Sequence, residues 1–233
     1  MLLTAIVDWE HPSDSGQGRD YVALLAALRT YLPAPRYTLS SALPAGEWAL
    51  QHINLKHASE YLDMINLMAY DFSGPWVQQC GHHAQLYTPQ IPHCAEAATS
   101  CHSAVSYLLR KEVPPEKIVM GVPAYGRSFT GTRGLGHSYS GQAGEEGTFE
   151  YRDLPRPGAQ EIVDEQVGAA YCIGGDGGFV TYDTPQTVQM KAKYVRQYGL
   201  GGLFYWTGTG DVSAHTQKHR SLVYNGFIGL FPQ

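Results

Sequence analysis

Two acidic residues separated by one position stand near the beginning of the chain, in the segment AIVDWEHP at residues 5–12. Residues two positions apart on a β-strand point to the same side, so we expect Asp8 and Glu10 to share one face. Two neighbouring carboxylates in a partly dry pocket can divide the roles of proton donor and ionised partner, which is the chemistry of general acid–base catalysis. A solvated acidic pair at the end of a strand is the alternative that this spacing leaves open.

Segments typical of strands alternate with segments typical of helices along most of the chain. Strands are predicted in AIVDWE (5–10), RYTLSSA (36–42), YLDMINLMAYD (61–71), EKIVMGVPAYG (116–126) and LGGLFYWT (200–207), and helices over 19–32, 101–113, 184–199 and 221–231. The apolar segment 61–71 is typical of a strand buried on both faces. Ser100 and Thr184 are the expected N-caps of two helices, and Gly199 follows the end of the second. This alternation predicts an α/β fold with a parallel sheet.

Residues 129–182 interrupt the alternation. They are glycine-rich and contain short strand-like pieces such as GTFEYRDL and GGFVTYD. We therefore predict a small α+β insertion subdomain over 129–182, between a strand and the helix that follows it. The main domain would consist of residues 1–128 and 183–233.

Composition limits the classes of partner. A net charge of -5 argues against nucleic acid or an anionic membrane as the main partner. No apolar segment approaches the length needed to span a bilayer. The 16 tyrosines and four tryptophans suit the binding of a flat ligand with polar edges, such as a sugar.

Cysteine and histidine residues are concentrated between positions 80 and 102. Their irregular spacing favours one loop disulfide or free buried thiols over a zinc site, so no metal is predicted. Two of the histidines, His82 and His83, follow a glycine-containing loop and are expected at the surface, outside the site. The residues concerned are Cys80, His82, His83, His93, Cys94, Cys101 and His102, with Cys172 further along the chain.

Four motifs, each at the carboxyl end of a predicted strand, occur in the order VDWEHP, NLMAYD, GVPAYGRSF and GGLFYWT. Together they resemble glycoside hydrolase family 18, the chitinases, and most of all its fungal class V type. The resemblance extends over essentially the whole chain, including EEGTFEYRDL and VTYD in the insertion. It implies a (β/α)8 barrel with its active site at the carboxyl ends of the strands. It also implies a secreted, monomeric enzyme without a cofactor that acts on chitin or chito-oligosaccharides outside the cell or in the cell wall.

The resemblance implies roles for individual residues in hydrolysis of β-1,4 links with retention, in which the substrate's own acetamido oxygen is the nucleophile. Glu10 would be the acid and later the base, Asp8 would orient the acetamido group, and Tyr70 would hold its oxygen in line. The implied substrate-binding residues are Met68, Asp71, Trp76, Tyr125, Arg127 and Trp206. Structural alternatives are core packing for Met68, capping of the barrel for Trp206, a local clamp for Tyr125 and Arg127, and a structural hydrogen bond for Asp71.

The chain departs from the family pattern in two respects. The family signature DxxDxDxE has aspartates where this sequence has Leu3 and Ile6. Because Ile6 cannot exchange hydrogen bonds with Asp8, we expect a lower rate. The five predicted strands match the fourth to eighth strands of the barrel, so the first three would precede residue 1. A misplaced start or splice is the expected cause, and a natural shortened paralogue is the alternative.

Two other functions are compatible with the sequence. A chitinase-like lectin would keep the aromatic cleft without turnover, and Ile6 is compatible with it. A related retaining glycosidase could act on N-glycan cores instead of chitin.

Overall fold

The computed structural model describes residues 3–90 and 99–232, and Leu3 by its backbone alone. The strands in these ranges are β1 (Leu3–Val7), β2 (Tyr37–Pro44), β3 (Met64–Met68), β4 (Ile118–Pro123), β5 (Tyr125–Phe129), β6 (Thr148–Glu150), β7 (Gln160–Asp164), β8 (Ala169–Gly174), β9 (Gly178–Tyr182) and β10 (Gly202–Trp206). The α-helices are α1 (Ser15–Tyr31), α2 (Glu47–Leu50), α3 (Leu55–Tyr61), α4 (Cys101–Arg110), α5 (Pro185–Tyr198) and α6 (Leu222–Leu230). None of the helices in these ranges is both long and apolar enough to cross a membrane.

Five strands form one parallel sheet in the order β1-β2-β3-β4-β10. Helices α1, α3, α4 and α5 cover one face of this sheet, and the largest apolar core lies between them. Its members include Tyr21, Leu25, Leu39, Ala58, Ile65, Leu67, Val105, Leu108, Met120 and Tyr194. The structure therefore has the α/β architecture with a parallel sheet that the sequence predicts. Since the strands run in the same direction, their carboxyl ends meet at one edge of the sheet.

Strand β3 is buried on one face only. Ile65 and Leu67 point into the core, whereas Met64, Asn66 and Met68 are partly exposed. The prediction of a strand buried on both faces is wrong for this second face, because its side chains line an open cavity. An apolar sequence alone does not distinguish packing against protein from exposure in a cavity.

Capping residues fix where α4 and α5 begin and where α5 ends. The side chains of Ser100 and Thr184 accept hydrogen bonds from backbone amides of the first turn, and both belong to capping boxes. Helix α5 begins at Pro185 and ends before Gly199, which has the left-handed conformation with φ 65°. The predicted start of α4 and the predicted start and end of α5 are confirmed, whereas α4 ends at Arg110, three residues before the predicted position 113.

Replacing Gly199 with Ala is expected to lower the free energy of unfolding by about 1 kcal/mol, because an added Cβ opposes the left-handed conformation. Open space surrounds this position, so backbone strain is the only cost. Gly208 is the matched control, because it also has open space around it but no positive φ. Urea denaturation measures both variants, and equal stability of the two alanine variants would contradict the strain argument.

The remaining strands form an antiparallel sheet in the order β6-β5-β9-β8-β7. This sheet begins with β5 at Tyr125, before the predicted start of the insertion at residue 129. Between residues 129 and 182 the structure contains strands and short 3-10 turns but no α-helix, so the predicted α+β composition is wrong for the α part. The division of the chain into a main domain and an insertion stays a prediction.

Candidate active site

A cavity of about 900 Å³ opens at the carboxyl ends of the parallel strands. Eight of the nine site residues predicted from the sequence line it, and the ninth, Arg127, lies behind them. The eight are Asp8, Glu10, Met68, Tyr70, Asp71, Trp76, Tyr125 and Trp206. Residues from the ends of four different strands thus converge on one concave surface.

The acid pair follows strand β1 instead of lying within it. The strand ends at Val7, three residues earlier than predicted, but the alternation of the two faces continues beyond it. Asp8 and Glu10 are exposed in the cavity, together with Ile6 on the same face, while Trp9 packs against the core. The Glu10 carboxylate is 53% exposed, and its Oε2 lies 3.6 Å from Nε2 of His11. A carboxylic acid at this place can exchange protons with a ligand in the cavity.

Tyr70 stands beside the acid pair and keeps its hydroxyl proton. Its ring packs edge-on against Tyr125 and Phe204, with centroids 6.2 Å away in both cases. Burial raises the pKa of Tyr70 well above its ordinary value, and the negative charges of Asp71, Glu10 and Asp8 add to the effect. The phenol is therefore a hydrogen-bond donor at neutral pH.

Asp71 is the anchor of a polar cluster at the wall of the cavity. Its Oδ1 accepts a hydrogen bond of 2.7 Å from the Tyr125 hydroxyl and one of 2.5 Å from Nε of Arg127. The Nδ1 of His83 lies 3.5 Å from the same oxygen. Burial alone would raise the pKa of Asp71, but the contacts with His83 and Arg127 outweigh it and hold this pKa well below its usual range. Asp71 therefore stays ionised and fixes the positions of its neighbours.

Arg127 contacts two residues that line the cavity, Asp71 and Trp76. Besides its bond to Asp71, its guanidinium lies 4.8 Å from the ring centroid of Trp76. The pair Tyr125 and Arg127 thus forms the local clamp that the sequence leaves open as an alternative, and the same clamp orients the exposed indole of Trp76.

The two adjacent histidines lie inside the protein, so the expectation that they belong to the surface is wrong. His82 is 2% exposed and His83 is fully buried. Nδ1 of His82 lies 3.3 Å from the hydroxyl oxygen of Thr181, and the His83 ring packs against Tyr125. Desolvation lowers the pKa of both imidazoles, that of His82 to about 4. Both are therefore neutral at neutral pH, and His83 supports Asp71 from behind.

Several residues of the cavity were missed from the sequence. They are His11, Trp48, Thr99 and Phe204, with Thr4, Ser40, Ala42, Met64 and Asn66 deeper in the cavity. His11 could have been found from its place next to Glu10, and Phe204 from its spacing of two from Trp206. Trp48 follows a strand end like the other site residues but belongs to no recognised motif.

Metal-binding clusters are absent from residues 3–90 and 99–232, where no group of three or more acidic, histidine or cysteine side chains could hold an ion. Cys80, Cys101 and Cys172 are buried free thiols. His93 and Cys94 lie outside the described residues.

Replacing Asp71 with Asn is expected to lower the free energy of unfolding at pH 6 by about 1–2 kcal/mol, since the one-third exposed carboxylate loses charge-assisted hydrogen bonds. The depressed pKa means that this stabilisation is complete above about pH 4 and is lost as the pH falls through the folded-state value. The difference between the two proteins should therefore shrink by about 1 kcal/mol at pH 3. Urea denaturation at the two pH values measures it, with Asp20→Asn on the exposed side of α1 as control. A difference independent of pH would contradict the assigned ionisation.

Comparison with known proteins identifies the family. Residues 7–211 match the family described as Glycosyl hydrolases family 18. The chain is 34% identical over 240 residues to Chitinase 1 of Aphanocladium album, covering 97% of this chain and 55% of the relative. It spans about half the length of the curated relatives it matches.

Solved structures have the same fold. Catalytic domain 2 of the Group II chitinase of Ostrinia furnacalis superposes with a TM-score of 0.86 at 25% identity, over 98% of this chain and 66% of that one. A mutant of the class V chitinase of Nicotiana tobaccum, solved in complex with NAG4, gives a TM-score of 0.82 at 25% identity over 97% and 68%. With a family match over most of its length and the acid pair at the carboxyl end of a parallel strand, the chain belongs to glycosyl hydrolase family 18.

Proposed function

We propose that this chain carries catalytic machinery of a chitinase, which hydrolyses β-1,4 links between N-acetylglucosamine units with retention. The observation that carries the proposal is one cavity that collects Asp8, Glu10 and Tyr70 beside the exposed indoles of Trp76 and Trp206. Indole faces bind the apolar faces of sugar rings, and carboxylates with a phenol supply the polar contacts. Relatives named chitinases, and solved structures in complex with N-acetylglucosamine oligomers, support the choice of substrate class.

Glu10 acts first as acid and then as base. Its half-exposed carboxyl group donates a proton to the oxygen that leaves, while the acetamido oxygen of the bound sugar attacks the anomeric carbon. This attack forms a cyclic, positively charged intermediate. Water, deprotonated by Glu10, then opens the intermediate from the face that the leaving group vacated, so the configuration is retained.

Asp8 and Tyr70 orient the acetamido group. Asp8 accepts a hydrogen bond from the acetamido N–H, and its negative charge stabilises the intermediate. Tyr70, which burial keeps protonated, donates a hydrogen bond that holds the acetamido oxygen in line for attack. Trp206 forms the apolar floor under the reacting sugar, with Met68 and Asp71 at its side and Trp76, Tyr125 and Arg127 near the adjacent units.

The five parallel strands are proposed to be the fourth to eighth strands of a (β/α)8 barrel. Their order, their shared direction and the site at their carboxyl ends support this placement. Residues 1–128 and 183–233 would then belong to the barrel, and residues 129–182 to an insertion between its seventh and eighth strands. The substrate would be chitin or chito-oligosaccharides outside the cell or in the cell wall, bound by a monomer without a cofactor.

The test is incubation of the purified chain with N-acetylglucosamine oligomers of four to six units, followed by separation of the products. Shorter oligomers are expected, and NMR of the first products should show the β-anomer. Binding without products would contradict the enzyme and favour the lectin alternative. Cleavage of N-glycan cores instead of chitin oligomers would correct the substrate class.

A further inference from the structure

The exposed tryptophans of this protein are collected in one place. Of the four tryptophans, Trp9 packs against the core, whereas Trp48, Trp76 and Trp206 are 63%, 58% and 55% exposed. All three exposed indoles line the same cavity. Large exposed apolar side chains gathered in a concave surface indicate a ligand with apolar faces. Trp48 is the member of this set to which the proposed mechanism gives no role.

Trp48 and Trp76 are positioned in the same way, each with its indole against a glycine two residues earlier in the chain. Gly46-Glu47-Trp48 follows β2 and Gly74-Pro75-Trp76 follows β3, the neighbouring strand. A Cβ added to either glycine would collide with the indole two residues later. Each indole therefore folds back across the backbone of its glycine, and this is possible because glycine lacks a Cβ.

The glycine at position 46 provides space for the indole. Its φ of -87° and ψ of 131° are values that alanine adopts without strain. The backbone conformation alone would thus permit a larger residue. The indole of Trp48 is the group that alanine would displace.

Trp48 lies beside the proposed catalytic acid. The ring of His11 meets the indole edge-on, with centroids 5.4 Å away and planes at 85°. Nε2 of His11 also lies 3.6 Å from Oε2 of Glu10. Trp206 belongs to β10 at the opposite end of the strand order. In the strand order, Tyr70 after β3 comes between Trp48 after β2 and Trp206 of β10.

We propose that Trp48 is a stacking platform for a sugar ring on the leaving-group side of the cleaved bond. The proposal rests on the proposed function and deepens it. Glu10 protonates the oxygen that joins the reacting sugar unit to the leaving sugar unit. The sugar rings on the two sides of this oxygen therefore belong to different products of the cleavage. With Trp206 beneath the reacting unit, Trp48 binds the part that departs.

The experiment measures oligomer binding by calorimetry in the Glu10→Gln variant of the chain, which prevents turnover. Trp48→Ala is expected to weaken binding of a four-unit N-acetylglucosamine oligomer about tenfold. Gly46→Ala should also weaken it, although the indole remains, because the new Cβ displaces the ring. Trp48→Phe should retain most of the affinity. Tyr31→Ala, an exposed aromatic side chain on α1 outside the cavity, is the matched control.

Equal affinities of Trp48→Ala, Gly46→Ala and the parent would overturn the proposal for Trp48 while leaving the proposed function in place. Failure of the parent itself to bind any oligomer would overturn both. Loss of affinity in Tyr31→Ala as large as in Trp48→Ala would also overturn the assignment, since the effect would not be specific to the cavity. Circular dichroism spectra should coincide for all variants, because Trp48 and Tyr31 are both largely exposed.

Discussion

Replacing Glu10 with Gln is expected to reduce hydrolysis of N-acetylglucosamine oligomers by about 10²–10⁴-fold, the range that a positioned general acid contributes. The amide has the shape of the carboxylic acid but carries no acidic proton for the leaving oxygen and cannot deprotonate water. The side chain is half exposed, and its Oε2 lies 3.6 Å from Nε2 of His11, so the fold should not change. Product formation from a four-unit oligomer, followed over time, measures the effect.

The matched control is Glu116→Gln. This exposed residue lies two positions before β4, at the end of the sheet away from the cavity, and its variant should keep the parent's activity. Oligomer binding should survive in Glu10→Gln, because the indoles and Tyr70 remain in place. Undiminished hydrolysis by Glu10→Gln would contradict the assignment of the acid, and loss of both binding and hydrolysis would point to a change of structure instead.

The sequence predicts where the site lies better than it predicts which residues line the cavity and how exposed they are. Period-two alternation places Asp8 and Glu10 on one side, and this side is maintained although the strand itself ends at Val7. The starts of α4 and α5 and the end of α5 follow from local capping, which depends on residues within one helical turn. Features controlled by such near neighbours are readable from the chain alone.

The features that the sequence did not predict depend on contacts between residues far apart in the chain. His83 follows a loop, and only the folded chain brings it against Asp71, which precedes it by twelve positions, and Tyr125, which follows it by about forty. The exposure of Met64 and Met68 depends equally on the open cavity. Trp48 belongs to no motif, and its place in the site depends on the lateral order of β1 and β2. These properties require knowledge of which strands are neighbours.

A buried ion pair connects the two sheets. The ammonium of Lys191 on α5 donates a 2.6 Å hydrogen bond to Asp183, which directly follows β9 of the antiparallel sheet. Lys191 is fully buried and Asp183 is 1% exposed. The Thr187 hydroxyl donates a further bond of 2.7 Å to the same carboxylate. Because α5 also packs on the parallel sheet, this pair fastens one sheet to the other.

Replacing Lys191 with Met is expected to lower the free energy of unfolding by about 3–5 kcal/mol, because it leaves the buried Asp183 carboxylate with the Thr187 hydroxyl as its remaining hydrogen-bond donor. Lys193→Met, two residues along the same helix and exposed, is the matched control and should change stability little. Urea denaturation measures both. A loss of less than about 1 kcal/mol in Lys191→Met would contradict this account of the pair.

The double variant Lys191→Met with Asp183→Asn separates the cost of an unpaired charge from the worth of the pair. The amide oxygen can still accept the Thr187 hydrogen bond, and no charge remains buried, so stability should return most of the way to that of the parent. If the double variant were as unstable as Lys191→Met alone, lost packing and not the unpaired carboxylate would be the cause. Recovery would show that the unpaired carboxylate is what destabilises Lys191→Met. The pair would then favour the arrangement in which α5 packs against the end of β9, because this arrangement neutralises the buried charge of Asp183.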